Sequence, residues 1–296
     1  MASRRRTIVL ALGAIAGVLL LFVMTLWVLL ATLEGTGLPG GQKLAVVELE
    51  GLILESEPIV RELQAHQDDP AVRAVVFRIN SPGGVVGPTQ EIYAAVQRLR
   101  KAGKPVVASL GSVAASGGYY VATAADRIYA NPGSLTGSIG VVMQMANVEG
   151  LLKKVGVDYV VVKSGRYKDI GNFARTMSPE ERRILQALLD DVYNQFVDAV
   201  AQGRGLDRGA VLGFADGRIV SGHQAKEIGM VDALGGLEDA IEGAAQLAGL
   251  PKRPKLLLPR RRFSLWNLLL NQLGWIGQPS LPAHLSFGKT PLYLMD

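Results

Sequence analysis

The chain has 296 residues, a net charge of +5 and no cysteine. The missing cysteines exclude disulfides, thiolate metal sites and a cysteine nucleophile. The three histidines (His66, His223 and His284) are far apart and no His-Glu-x-x-His motif is present, so a zinc hydrolase is disfavoured and we expect neither metal nor cofactor.

The positive charge is concentrated in two short segments. Arg4, Arg5 and Arg6 contribute +3, and the six Lys and Arg residues between positions 252 and 262 contribute +6. The rest of the chain is therefore net acidic. Basic runs beside apolar segments are more typical of contact with a membrane surface than with nucleic acid, so we expect no nucleic-acid partner.

The first predicted element is an apolar helix over residues 7–33, which contain no charged residue. About 20 apolar residues span a bilayer, whereas the apolar part of a cleaved signal peptide has roughly 7–15. An uncleaved, single-pass membrane anchor is therefore favoured over a cleaved signal peptide. The arginines before the helix place residues 1–6 in the cytoplasm and the rest of the chain on the other side of the cell membrane. Residues 34–42 form a glycine-rich linker.

The body of the chain alternates predicted strands and helices. Strands are predicted at 43–50, 72–79, 105–110, 127–130, 138–144 and 158–163, and helices at 57–67, 88–101, 116–126 and 179–202. Ser178 and Glu181 form a capping box at the start of the last helix. The alternation predicts an α/β protein with a largely parallel sheet, in one domain over residues 43–250.

Two glycine-rich turns end neighbouring predicted strands, at 80–84 and 111–120. In parallel sheets, sites form at the carboxyl ends of strands. Ser116 stands at the predicted start of a helix, where unpaired N–H groups and the helix dipole favour an anion. The N–H groups of Gly84 and Gly117 are candidates for binding the oxyanion of an acyl-transfer intermediate. The alternative is that Ser116 only caps a helix.

A serine nucleophile needs a general base. His66 and His223 are more simply explained as surface or capping residues, which leaves a Ser–Lys arrangement. A lysine acts as a base only when neutral, so burial must lower its pKa from about 10.4. Lys163 ends a predicted strand and Lys168 follows five residues later, and the sequence pattern alone does not choose between them.

Five short motifs occur in a fixed order along residues 43–250. They are Asn-Ser-Pro-Gly-Gly (80–84), Ala-Ser-Gly-Gly-Tyr-Tyr (115–120), Gly-Ser-Leu-Thr-Gly-Ser-Ile-Gly (133–140), Tyr-Lys-Asp (167–169) and Met-Ser-Pro-Glu-Glu (177–181). Together they resemble the signal peptide peptidase A family, also called protease IV, in its short bacterial form. The resemblance implies a Clp-protease/crotonase-like fold and serine endopeptidase activity. It implies Ser116 as nucleophile, Lys168 as general base, Ser138 as the residue orienting that lysine, and Gly84 and Gly117 as oxyanion donors.

The same resemblance implies substrates and assembly. It implies degradation of cleaved signal peptides and similar apolar peptides at the membrane by a ring-like homo-oligomer. Two other classes stay open. A crotonase-type acyl-CoA enzyme shares the fold and a similar oxyanion hole, but such enzymes usually rely on acidic groups. A non-catalytic membrane scaffold is disfavoured by the presence of both Ser116 and Lys168.

Residues 251–296 form a basic and amphipathic tail. Phe263, Trp266, Leu270 and Leu273 share one face of a predicted helix after the arginines at 260–262. This face is suited to a lipid surface or to a neighbouring subunit, and the subunit is slightly favoured because apolar helical faces are usually buried against protein. The final segment, 291–296, is apolar and extended, which is also compatible with a substrate mimic in the protease groove.

Overall fold

A computed structural model of the chain describes residues 2–33, 41–259 and 292–294. Contacts divide the chain into two units, residues 1–42 and 43–296. The first unit contains one helix, α1 (Ala2–Leu33), which coincides with the predicted anchor. Among the described residues, however, no helix is both long enough and apolar enough to cross a membrane. Residues 34–40 of the predicted linker and the predicted amphipathic helix after residue 262 lie outside the described residues.

The second unit is built on an eight-stranded mixed sheet. Its strands are β1 (Lys43–Glu50), β2 (Val72–Ser81), β4 (Val106–Ala115), β5 (Arg127–Ala130), β6 (Leu135–Gly137), β7 (Ile219–Ser221), β8 (Ala233–Leu234) and β9 (Lys255–Leu257), and a separate antiparallel pair joins β3 (Gly83–Val85) to β10 (Leu292–Leu294). The main order is β7-β6-β4-β2-β1-β9, with β5 paired to β4 and β8 paired to β5. All these neighbours are parallel except β6 and β7.

Helices cover both faces of this sheet. They are α2 (Glu57–Asp68), α3 (Val86–Lys101), α4 (Gly117–Ala122), α5 (Glu149–Lys154), α6 (Pro179–Arg204), α7 (Arg208–Leu212), α8 (Gly222–Glu227) and α9 (Leu237–Leu247). Strand β2 separates the two cores: Val75 and Phe77 join the larger core with α2, α3, α4 and α6, whereas Val76 joins the smaller core with α9. Successive side chains of β2 therefore point to opposite faces of the sheet, and both faces are covered by apolar cores, as expected for a central parallel strand. The predicted α/β class with a mostly parallel sheet is confirmed.

Two predicted strands are wrong. Ser138 directly follows β6 with φ 51°, a left-handed conformation that ends the strand, and residues 158–163 form no strand and expose their side chains. The apolar pattern of residues 158–163 is typical of a strand, yet no strand among the described residues pairs with them. Val160 is 81% exposed and Val162 is 96% exposed. These residues belong to a segment between β6 and α6, residues 141–177, which we call the arm.

Candidate active site

Ser116 lies in a strained turn between β4 and α4. Its backbone has φ 52° and ψ −118°, a combination that costs a serine about 1–3 kcal/mol. The turn is held at both ends: Ser116 N–H donates to the Gly137 carbonyl at 2.8 Å, and Tyr120 N–H donates to the Ser116 carbonyl at 2.8 Å. Such strain persists only where the surrounding structure determines it, and it is concentrated at functional sites.

The Ser116 hydroxyl is buried without a hydrogen-bond partner. The residue is 0% exposed, and its Oγ is the one buried side-chain oxygen or nitrogen among the described residues that makes no hydrogen bond. An unpaired buried hydroxyl costs about 1–3 kcal/mol. Since buried polar groups are almost always paired, this exception requires an explanation, and a nucleophile that awaits its base and substrate supplies one.

Gly84 lies in β3, which runs beside Ile53. Ile53 N–H donates to the Gly83 carbonyl at 2.9 Å, and Val85 N–H donates to the Ile53 carbonyl at 2.8 Å. A Cβ on Gly84 would lie 2.1 Å from the Ile53 oxygen, so only glycine fits. Because successive N–H groups of a strand alternate in direction, the Gly84 N–H points away from Ile53.

Gly117 begins α4, so its N–H has no acceptor within the helix. The next residue, Gly118, lets this helix end approach β2 closely, because a Cβ there would lie 2.7 Å from the Ser81 carbonyl oxygen. Ser81 Oγ in turn accepts from the Gly83 N–H at 3.1 Å. The two glycine-rich turns therefore meet, as expected for the carboxyl ends of adjacent parallel strands.

Ser138 lies next to the Ser116 turn. It follows Gly137, which accepts the Ser116 N–H, and its own N–H donates to the Arg218 carbonyl at 2.8 Å. Ser138 is buried, and among the described residues it and Ser116 are the two with a positive φ that are not glycine. The structure thus brings Ser138, Gly84 and Gly117 to the region of Ser116.

Lys168 lies elsewhere, in the arm, and is exposed. Because Ser116 Oγ makes no hydrogen bond, neither Lys168 nor the alternative base Lys163 is bonded to it within one chain. Lys163 instead pairs with Asp169 and donates to the Arg166 carbonyl at 2.9 Å. The structure therefore does not bring the predicted nucleophile and base together inside a single chain.

Four charged side chains next to Lys168 form a network that we call the Arg175 cluster. Its members are Lys163, Asp169, Arg175 and Glu181. Arg175 donates to Asp169 Oδ2 at 2.9 Å and to Glu181 Oε2 at 2.8 Å. The hydrogen bond from Arg175, and then that from Lys163, holds the pKa of Asp169 well below its ordinary value. Arg175 and the Ser178 N–H lower the pKa of Glu181 to about 2.

The Arg175 cluster joins the arm to the start of α6. Glu181 accepts from the Ser178 N–H at 2.9 Å, and Glu181 N–H donates to Ser178 Oγ at 3.2 Å, so the predicted capping box is confirmed. Our reading of the sequence missed Arg175 and Asp169. Two features of the sequence could have pointed to these residues: Asp169 belongs to the Tyr-Lys-Asp motif, and Arg175 lies three residues before the N-cap residue Ser178.

Tyr167, on the other side of Lys168, is also tied to α6. Its hydroxyl donates to Glu180, and this hydrogen bond raises the pKa of Tyr167. Arg166 pairs with the same carboxylate. The backbone on both sides of Lys168 is thus attached to the first turn of α6. Among the described residues no group of His, Asp and Glu is arranged to hold a metal ion.

A strained and buried serine at a helix start, beside glycine turns of a parallel sheet, is the arrangement of a serine hydrolase. Comparison with known proteins gives the family, since residues 98–251 match the model of peptidase family S49. The chain belongs to peptidase family S49 and is a serine peptidase. This decides against the acyl-CoA enzyme and the scaffold.

Individual relatives agree with this membership. A protein of Synechocystis sp. with a provisional protease name is 49% identical over 211 residues, which are 71% of this chain and 76% of the relative. A protein of Enterococcus faecium, provisionally named signal peptide peptidase SppA, is 40% identical over 61% of this chain and 53% of its own length. Protease 4 of Salmonella typhi is 36% identical over 71% of this chain and 35% of its own length. The chain thus spans about half of the second relative and about a third of the third.

Proposed function

We propose that the chain is a membrane-anchored endopeptidase that degrades cleaved signal peptides and similar apolar peptides. The observation that carries the proposal is the Ser116 hydroxyl, buried without a partner on a strained turn at the start of α4. The name of the Enterococcus faecium relative supports the substrate class. We further assign the fold to the Clp-protease/crotonase-like group, with residues 43–250 as the peptidase domain and 251–296 as its tail.

The chemistry follows from the residues around Ser116. Its Oγ attacks the carbonyl carbon of the peptide, and the N–H groups of Gly84 and Gly117 stabilise the resulting oxyanion. Lys168 accepts the hydroxyl proton and passes it to the leaving amine. Water then hydrolyses the acyl-enzyme and releases the second product. Ser138, which lies beside the Ser116 turn, orients the lysine.

We propose that Lys168 reaches Ser116 from a second copy of the chain. Within one chain the two residues are not bonded, and the arm that carries Lys168 exposes a run of apolar side chains, including Tyr159, Val160 and Val162. Exposed apolar patches of this kind mark interaction surfaces. Packing the arm on a neighbouring subunit buries the patch and surrounds Lys168 with protein, in keeping with the predicted ring-like homo-oligomer.

A serine-directed fluorophosphonate probe tests the nucleophile. The full-length chain in detergent is expected to be labelled at Ser116 and to cleave an apolar signal-peptide sequence, and Ser116→Ala is expected to lose both properties. Peptide cleavage that persists in Ser116→Ala would overturn the assignment. Thermal unfolding of the two proteins controls for loss of structure.

We also propose that α1 anchors the chain in the cell membrane, with residues 1–6 in the cytoplasm and the peptidase domain on the other side. Support comes from the uncharged stretch of residues 7–33, and from apolar side chains such as Leu20 and Trp27, which are exposed in α1. The full chain is expected to stay in membranes during alkaline carbonate extraction, whereas a variant lacking residues 1–42 is released. Release of the full chain would contradict the anchor.

The proposed contact of the tail with lipid needs a separate measurement. Chains lacking residues 1–42 are expected to bind anionic vesicles, weakly in high salt, and to lose this binding when Arg260, Arg261 and Arg262 become Gln. If binding is absent and truncation after Pro251 breaks the oligomer, the tail is a contact between subunits instead.

A further inference from the structure

Strand β4 contains a bulge shortly before Ser116. Strands β2 and β4 pair residue by residue as far as Ile79 opposite Leu110, and the next paired residues are Ser81 and Ala114. Between these two points β2 advances by two residues, whereas β4 advances by four. A bulge bends its strand and changes the direction of the side chains that follow, and bulges are over-represented next to active sites.

The bulge consists of Gly111, Ser112 and Val113, and the single residue of β2 between the paired positions is Asn80. Asn80 Oδ1 accepts a hydrogen bond from the Val113 N–H at 3.2 Å. A Cβ on Gly111 would lie 3.0 Å from Asn80 Oδ1 and 3.0 Å from the Ile79 carbonyl oxygen. The bulge is therefore packed tightly against the end of β2, and the side chain of Asn80 bonds to its backbone.

Strand β6 and the residue before it hold the same bulge from the other side through two side-chain hydroxyl groups. Ser134 Oγ donates to the Gly111 carbonyl at 2.6 Å, and Thr136 Oγ1 donates to the Ala114 carbonyl at 2.7 Å. Both side chains are buried, so the two hydrogen bonds lie away from bulk solvent. The backbone of β4 is thus fixed by side chains on both sides directly before Ser116.

We infer that Asn80, Ser134 and Thr136 are positioning residues for the reaction of Ser116. The inference rests on the proposed function, in which Ser116 is the nucleophile and Gly84 supplies an oxyanion donor. Gly84 lies on β3, which follows β2, whereas Ser116 follows the bulge of β4. The shape of the bulge therefore sets the place of the serine hydroxyl relative to the oxyanion donor, and the three side chains fix that shape.

Removing one of the buried hydroxyl groups is expected to act on the chemical step. A buried carbonyl that loses its donor favours a rearrangement of the backbone around it. A shift of about 1 Å in a reacting group can lower the rate by about 10²-fold. The expected result is a lower kcat with little change in KM, because the altered residues act through Ser116 and not through contacts with the peptide.

Two substitutions of Thr136 in the full-length chain test this role. Thr136→Val keeps the size of the side chain and removes the hydroxyl group, whereas Thr136→Ser keeps the hydroxyl group. Thr136→Val is expected to lower kcat by about 10- to 100-fold and to slow labelling of Ser116 by the fluorophosphonate probe. Thr136→Ser is expected to restore most of both rates, and Ser134→Ala to behave like Thr136→Val. Equal rates of the two Thr136 variants would overturn the role of the hydroxyl group.

Thr123 provides a matched control away from the bulge. Its Oγ1 donates to the Tyr120 carbonyl at 2.7 Å, and the residue is also completely buried. Thr123→Val therefore removes the same kind of hydrogen bond and is expected to lower Tm as Thr136→Val does, while its kcat stays close to that of the wild-type chain. Equal loss of kcat in the two valine variants would show that any lost buried hydroxyl group has this effect and would overturn the positioning role.

Substitutions of Asn80 decide the question if Thr136→Val does not fold, because Asn80 is exposed and its replacement leaves the core intact. Asn80→Ala is expected to lower kcat less strongly than Thr136→Val. Asn80→Asp keeps an acceptor for the Val113 N–H and is expected to restore the rate. Equal kcat of the two Asn80 variants would overturn the contribution of this side chain to the bulge.

The labelling rate separates the positioning role from the proposed function. A wild-type chain that is labelled at Ser116 but cleaves no apolar peptide would overturn the proposed function, and the labelling rates of the Thr136 variants would still decide whether the hydroxyl group positions Ser116. A wild-type chain that is not labelled at Ser116 would overturn both.

Discussion

The Ser116 turn and the arm that carries Lys168 differ in burial and in the interactions that hold them. The Ser116 turn lies in the larger core, and α4 behind it is completely buried. The arm has little buried apolar surface, exposes Val160 and Val162, and is attached to α6 through charges. The nucleophile is thus positioned by the folding of one chain, whereas the proposed base lies on a surface that needs a partner.

Different interactions hold the two regions. Behind Ser116, the ring of Tyr120 contacts those of Tyr93 and Phe196 edge to face, with centroids 4.9 and 5.0 Å apart, and links α3, α4 and α6. The arm depends on Arg175 and its two carboxylates. Because the pKa of Glu181 is lowered from 4.5 to about 2, its contribution to stability is fully present above about pH 4.5 and is lost as the pH falls through about 2. Acid is therefore expected to release the arm before it affects the apolar core.

The largest expected effect comes from removing either member of the proposed dyad of Ser116 and Lys168. Ser116→Ala and Lys168→Ala are each expected to lower kcat by about 10⁴-fold or more, and the double variant little further, because a nucleophile and its base act as a unit. Peptidase assays with thermal unfolding as a control measure this. Near-normal turnover in Lys168→Ala would move the role of base to Lys163.

Mixing the two inactive variants tests whether Lys168 and Ser116 of one active site come from different chains. If Lys168 serves the Ser116 of a neighbour, co-expressed Ser116→Ala and Lys168→Ala chains form some complete sites and regain activity. A mixture of Ser116→Ala with the double variant contains no intact nucleophile and serves as the control. Oligomers of the first mixture that stay inactive would contradict a shared site.

The next effect concerns the contact of Gly84 with Ile53. Gly84→Ala is expected to lower kcat by about 10²–10³-fold, since the new Cβ would lie 2.1 Å from the Ile53 oxygen and displace the proposed oxyanion donor. Gly87→Ala is the matched control, because a Cβ there meets nothing within 4 Å and alanine favours the helix. Equal activity of the two variants in the peptide assay would show that Gly84 is not part of the active site.

A smaller effect is expected from charging the arm. Val160→Asp combined with Val162→Asp is expected to weaken the oligomer and lower activity in proportion, with little change in Tm because both side chains are in solvent in one chain. Leu212→Asp is the control outside the arm, at a residue that is 42% exposed. Light scattering with the peptide assay measures both, and an intact oligomer in the arm variant would show that the patch is not the interface.

The sequence predicted the buried region better than the arm. Strand β1 has the predicted bounds, Lys43–Glu50, and the glycine turns lie together because parallel strands end at one edge. In the arm, residues 158–163 have the apolar pattern of a strand. Such a pattern predicts that the side chains are buried, but it does not show whether they pack within the same chain or against another one. Two other features depend on contacts between distant segments, which no local pattern reveals: the approach of Ile53 to Gly84 and the bridge from Arg175 to Asp169 and Glu181.

The smallest expected effect is a shift of the pH–rate profile when Arg175 is replaced. Activity is expected to rise through neutral into mildly alkaline pH if the proposed lysine base acts, because a lysine must lose its proton to serve as a base. In the wild-type chain Lys163 and Arg175 compensate the charge of Asp169, the neighbour of Lys168 in sequence. Without Arg175 this carboxylate is less compensated and favours a protonated neighbour.

Arg175→Ala is therefore expected to move the rise of kcat/KM to higher pH, by an amount that solvent screening reduces. Arg166→Ala is the matched control, because Arg166 pairs with Glu180, whereas the ion-pair partners of Asp169 are Lys163 and Arg175. A purely structural role of Arg175 would lower activity equally at every pH. Recovery of Arg175→Ala activity at alkaline pH, with an unshifted profile for Arg166→Ala, would instead identify Arg175 as a residue that positions the charge beside the base.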